Sequence, residues 1–250
     1  MATPYNKNFV LMVEDLTVSF DGFKAIDNLS FYVKPNECSV VIGPNGAGKT
    51  TLLDLICGRT RATAGVINFK GQELQKMRED KIVHAGVGRK FQTPSVYEDL
   101  TVFENLELSF PRGHRILGSL FFRRAPDVRA RIEEIAAKIF LSDHLDERAG
   151  FLSHGQKQWL EIGLLLIQDP ELLLLDEPVA GMSVAERKKT AELLSDIVSQ
   201  RSVIVIEHDM GFVKDIATRV TVLHQGRKLS EGSMDHVQND PKVIEVYLGH

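Results

Sequence analysis

Two stretches near the start of the chain alternate apolar and polar side chains: LMVEDLTVSF (residues 11–20) and LSFYV (residues 29–33). A two-residue period buries one face of a strand. Asp21-Gly22 and Lys34-Pro35-Asn36 supply turns, so the first 35 residues predict antiparallel strands. The pattern then changes. Ser39-Val40-Val41-Ile42, Leu172–Leu175 and Val203–Ile206 are short, unbroken apolar runs, the form of strands buried on both faces of a parallel sheet. The first runs into a glycine-rich loop and a helix from Lys49 to Cys57, and the other two are followed by acids.

From about 94 to 168 there is no strand pattern. Leu106, Leu108, Ile116, Leu120, Ile132, Ile135, Ala136 and Ile139 recur at helical spacing instead. The expected organisation is one domain over residues 1–250. Its core, with the antiparallel strands, comes from about 1–93 and 169–250, and a helical subdomain is inserted over about 94–168. After Leu223 the run HQGRKLSEG predicts a hairpin, followed by two short helices.

Composition narrows the function classes. Charged residues are 26% of the chain and the net charge is -4, so no basic field recruits nucleic acid. The runs Arg123-Arg124 and Arg187-Lys188-Lys189 read as solvated helix faces. Cys38 and Cys57 sit in or beside apolar segments and read as small core residues in a reducing compartment. MATPYNKN has no apolar stretch of a secretion signal, and no apolar run reaches 18 residues, so a membrane role would be supplied by partner chains.

The chemistry begins at Gly43-Pro44-Asn45-Gly46-Ala47-Gly48-Lys49-Thr50, which matches G-x-x-x-x-G-K-[ST] between a strand and a helix. Glycines let backbone N–H groups curl around phosphate oxygens. Lys49 reaches the β- and γ-phosphates in such a loop and the Thr50 hydroxyl ligates Mg²⁺; Thr51 is counted with the nucleotide-binding residues. The fold class expected is α/β: a P-loop NTPase (RecA-like) parallel sheet core with an N-terminal antiparallel β subdomain and an inserted α-helical subdomain.

Ligands of such sheets bind beyond the carboxyl ends of the strands. Asp176 and Glu177 end one apolar run, which suits Asp176 to Mg²⁺ and Glu177 to polarising an attacking water. His208, after the Val203–Ile206 run, points to the same crevice. Gln92 on its own reads as a surface residue. Phe20 could stack on a nucleobase, with Phe23 an equal candidate. Ser153 and Gln156 form the S-x-x-Q pattern of a capping box, and Gly155 leaves that helix start open to an anion.

Leu152-Ser153-His154-Gly155-Gln156, standing just before LLLLDEP, resembles the signature motif of ATP-binding cassette (ABC) ATPases. The likeness covers nearly the whole chain, with six separated motifs in order. It implies ATP and Mg²⁺ as cofactors, adenine stacking on Phe20, Gln92 sensing Mg²⁺ and the attacking water, Glu177 as general base and His208 at the γ-phosphate. Ser153, Gly155 and Gln156 would bind the γ-phosphate held by a second cassette, identical or related, in a head-to-tail sandwich. Two membrane permeases, and indirectly a periplasmic binding protein, would be the other partners, with the chain on the cytoplasmic face of the inner membrane. Two positions depart from the family pattern: His154 replaces the usual glycine, and Ser183 stands where many relatives have aspartate. LSHGQKQWLEIG, GRKFQTPSVYEDLTVFENL and VIEVYLGH look like importers for branched-chain amino acids and urea. The His154 form is most similar to the urea and short-chain amide group. The alternatives are a branched-chain amino acid importer and a lipopolysaccharide-export cassette.

Overall fold

The structure is a computed structural model that describes residues 6–90, 96–111 and 126–248. In chain order the strands are β1 (Leu11–Phe20), β2 (Phe23–Val33), β3 (Cys38–Ile42), β4 (Ala64–Phe69), β5 (Gln72–Glu73), β6 (Val87–Lys90), β7 (Leu172–Asp176), β8 (Ser202–Ile206), β9 (Arg219–His224) and β10 (Arg227–Gly232). The helices are α1 (Lys49–Ile56), α2 (Glu79–His84), α3 (Val102–Ser109), α4 (Pro126–Lys138), α5 (His154–Leu166), α6 (Val184–Val198), α7 (Met210–Ile216), α8 (Met234–Gln238) and α9 (Pro241–Leu248).

Two sheets form. The first, ordered β2-β1-β4-β5, is antiparallel throughout. Alternation along β1 is imperfect: Leu11, Met12 and Val13 are all buried, and further on Leu16 and Val18 are. The register slips between Val13 and Leu16, where Asp15 takes φ 48, so an irregularity in the ladder keeps both halves facing the core. The second sheet is ordered β10-β9-β3-β8-β7-β6. Here β9, β3, β8 and β7 pair in parallel, while β10 turns back on β9 as the hairpin expected from sequence. All five residues of β3, β7 and β8 are buried, as unbroken apolar runs require.

One apolar cluster joins the two sheets through the inner face of α1, with Leu52, Leu53, Leu55 and Ile56 all buried. Cys38 lies at the start of β3, and burial pushes its thiol up to about 12.

The chain divides into two compact units. One comprises Met1–Arg89, Glu171–Pro178 and Leu194–His250; the other, Lys90–Pro170 with Val179–Leu193. The second is helical, α3, α4 and α5 packing on one another around Leu106, Ile132, Ile135, Ala136 and Ile139. Leu108 is exposed rather than buried, because it falls on the outer side of the short α3; Ile116, Leu120 and the pair Arg123-Arg124 lie outside the described residues. A buried ion pair, Lys90 to Glu161 at 3.1 Å, lies within this unit. Lys189 is more than a solvated charge: its ammonium stands 5.7 Å from the ring centres of both Phe140 and Trp159.

Candidate functional site

The loop between β3 and α1 is built on left-handed backbone. Gly43, Gly46 and Gly48 take φ 151, 78 and 100. A Cβ on Gly48 would lie 2.6 Å from the Ala25 carbonyl oxygen, so only glycine lets the loop pack against β2. The Gly226 N–H donates to the Ala47 carbonyl at 3.0 Å, and the Asp27 N–H donates to that of Gly226 at 2.9 Å. The loop is thereby braced by the β2 backbone and the β9–β10 turn.

Lys49 donates to the carbonyls of Gly43 at 2.7 Å and Pro44 at 3.0 Å, which folds its ammonium across the loop. Burial pulls its pKa below the ordinary lysine value, and the charges of Glu177 and Asp176 push back. Thr50, in the first turn of α1, is exposed, and that turn contains no acid to compete with an incoming anion.

Adjacent parallel strands bring the acids to the same edge. Asp176 pairs in register with Ile206, and Ile206 with Val41, one residue before the end of β3. Asp176 is 1% exposed, with Arg89 Nη2 3.9 Å from its Oδ2. Glu177 is held at φ 48 by its N–H donating to the Ile206 carbonyl at 3.0 Å, an uncommon conformation for a non-glycine residue. Its Oε1 lies 3.6 Å from His208 Nδ1. Glu207 is buried, and its Oε2 accepts from the N–H groups of His208 at 2.9 Å and Asp209 at 3.3 Å, which leaves the His208 ring exposed. Thr50 at the start of α1 and Asp176 at the end of β7 both carry oxygen donors, chemistry that fits a hard divalent cation.

Phe20 and Phe23 face each other as a cross-strand pair at the β1–β2 turn, and both are exposed, so both remain candidates for stacking. Gln92 lies outside the described residues. In the helical unit, Ser153 and Gln156 form the expected capping box: the Gln156 N–H donates to Ser153 Oγ at 3.2 Å, and the Ser153 N–H to Gln156 Oε1 at 2.8 Å. His154 Nε2 is 3.0 Å from the Ala180 carbonyl oxygen, a bond that requires the proton on Nε2.

Two residues went unmarked at the sequence level. Arg89 is 5% exposed on its side chain, and its Nη1 sits 2.6 Å from Asp54. The signal was available: two cations in the short strand VGRK need buried partners. Glu186 forms a second S-x-x-E box with Ser183, a pattern legible in SVAE.

The family model described as "ABC transporter" matches residues 26–180, and that described as "Branched-chain amino acid ATP-binding cassette transporter" matches residues 227–250. The chain is 34% identical over 249 residues to the high-affinity branched-chain amino acid transport ATP-binding protein LivG of Escherichia coli (strain K12), covering 96% of this chain and 98% of that protein. It is likewise 34% identical, over 251 residues, to BraF of Pseudomonas aeruginosa, a protein of the same description, with the same coverage. Among solved structures, a nucleotide-free ATP-binding cassette from an ABC transporter superposes with a TM-score of 0.84 at 30% identity, covering 97% of this chain and 100% of that one.

Proposed function

The chain belongs to the ATP-binding cassette transporter family, and from that premise we propose that it drives uptake of branched-chain amino acids as half of an ATP-clamped pair of cassettes. It is an ATPase, the ATP-binding subunit of a transporter whose other components are in the membrane. The antiparallel β sheet, the sheet with parallel strands and the helices are those of the cassette fold.

The cargo proposed here replaces the urea or short-chain amide expected from the His154 form of the signature. Relatives sharing 34% of their residues with the chain are named for branched-chain amino acids, and the model matching residues 227–250 carries the same description. One histidine in a helix cap is weaker support than likeness along the whole chain.

The observation that carries the mechanism is the position of Lys49, folded over the glycine loop and within the field of Glu177 and Asp176. In our reading, Gly43 through Thr51 cradle the phosphates and Lys49 meets the β- and γ-oxygens. Thr50, Asp176 and Gln92 would hold Mg²⁺, which when bound would offset charge on the triphosphate. Glu177 takes a proton from the water that attacks the γ-phosphorus, the bond to the ADP oxygen breaks, and His208 faces the γ-phosphate. Phe20 or Phe23 stacks on adenine. Ser153, Gly155 and Gln156 close on the γ-phosphate held by the other cassette. Among the described residues no helix is long and apolar enough to cross a membrane, so attachment at the cytoplasmic face is assigned to the two permeases.

Glu177→Gln tests the core of this reading, because it removes the base but keeps the volume and one acceptor. Hydrolysis should fall by about 10²- to 10⁴-fold. With ATP the variant should run as a dimer in size-exclusion chromatography with light scattering, and with ADP as a monomer. Near wild-type turnover would strip Glu177 of its role, whereas an inactive, ATP-bound monomer would undercut the sandwich. For the cargo, vesicles carrying the permeases, binding protein and this chain should take up leucine, isoleucine or valine on ATP addition; uptake of urea alone would restore the amide reading.

A further inference from the structure

The N-terminus of α5 already has an anion beside it. Glu186, the third residue of α6, turns its carboxylate back to Ser183: Oε2 accepts from the Ser183 N–H at 2.8 Å and from its hydroxyl at 2.7 Å, and the Glu186 N–H donates to Ser183 Oγ at 3.3 Å. The other carboxylate oxygen, Oε1, lies 3.4 Å from Ser153 Oγ. It also stands 2.2 Å from the point a Cβ would occupy on Gly155. Two helix starts, each with a capping box, thus converge on one carboxylate. The Ser183 hydroxyl and N–H hold the Glu186 carboxyl below the usual carboxylate range, so it is ionised at neutral pH. An aspartate at 183 would set a second negative charge beside it, whereas the serine there supplies donors.

We propose that Glu186 is a built-in occupant of the phosphate seat on α5, its carboxylate filling the approach to Gly155 until a nucleotide phosphate from the partner cassette displaces it. This rests on the reading that Ser153 and Gly155 receive that phosphate. Gly155 is buried, and the atoms nearest the place its side chain would take all belong to Glu186, so an arriving phosphate oxygen meets the carboxylate first. The carboxylate can swing aside without breaking the α6 cap, because Oε2 alone makes both bonds to Ser183. Glu186 therefore sets how much ATP closes the pair: it raises the threshold for dimerisation without touching nucleotide held by the P-loop.

Glu186→Gln separates charge from structure. Glutamine keeps the S-x-x-Q capping box and nearly the same volume, and removes only the negative charge. In a Glu177→Gln background, which stops hydrolysis, ATP is titrated and the dimer fraction is read by light scattering. A charge at a helix N-terminus changes an equilibrium by about 2- to 5-fold. A symmetric pair has two seats, so the dimerisation constant should rise by about 4- to 25-fold. The gain should shrink in high salt, which screens charge but leaves packing unchanged. Affinity of the monomer for ADP should stay as it was, and the thermal midpoint without nucleotide should fall by no more than the loss of one helix-end charge accounts for. A dimer that forms at the same ATP concentration with and without the Glu186→Gln substitution, at low and high salt alike, overturns the proposal and leaves the sandwich standing. No ATP-dependent dimer from either protein overturns both.

Discussion

Lys49 does two things at once, and they can be pulled apart by substitution. Its ammonium ties the loop through the Gly43 and Pro44 carbonyls, and in the function proposed above it supplies the positive charge over the phosphate path. Lys49→Ala should lower hydrolysis by about 10²-fold or more, the size of a lost preorganised electrostatic contact, while far-ultraviolet circular dichroism stays native. Full turnover would refute the phosphate assignment. Gly48→Ala acts through shape alone. Its φ of 100 and the Ala25 carbonyl 2.6 Å from the new methyl would force the loop off β2, so ATP affinity should drop although no charge changes. Calorimetric titration with ATP reads both variants. At this scale the sequence was legible wherever local structure is tied to spacing: the glycine turn before α1, the strand that ends at Asp176 and the cap at Ser153. It was silent where conformation depends on distant backbone. Nothing in LLLLDEP announces that Glu177 turns to φ 48, because the carbonyl that holds it there belongs to Ile206 on another strand.

Helix caps allow a comparison between elements. α3 and α5 both begin with complete capping boxes, Thr101 with Glu104 and Ser153 with Gln156. Thr101→Ala and Ser153→Ala should each cost about 1 kcal/mol of stability in urea unfolding. Only Ser153→Ala should also weaken ATP-driven dimerisation in the Glu177→Gln background; equal loss from both would mean that the α5 start is merely structural. Elements with a clean period were readable in advance, as β1, β2, β3, β7, β8 and α1 show. β4, β5 and β6 were not, since they are short and carry Gly, Asn, Gln and buried cations that blur alternation. Their strand state is imposed by neighbours, β1 for β4, β4 for β5 and β7 for β6.

Across the whole molecule, strand order was the least legible feature. β3 pairs with β8 and β9, more than 150 residues away along the chain, and no local pattern encodes such partners. That arrangement nonetheless places the proposed nucleotide loop after a strand flanked by neighbours on both sides, so nucleotide binding there should be felt by the entire sheet. At ATP concentrations 100 times the dissociation constant, stability should rise by about 2.7 kcal/mol. A thermal shift present in the wild type and absent in Lys49→Ala would be the sign of it. Cys38, buried at the start of that strand, turns the same coupling into a clock. A thiol pushed up to about 12 and closed off from solvent reacts with an alkylating reagent only during moments when the sheet opens. Half-exposed Cys57 should be modified first, and the slow second phase then counts openings of the sheet one by one. ATP should stretch that phase by about 100-fold, so the protein keeps, in a side chain that takes no part in catalysis, a running record of how often it comes apart.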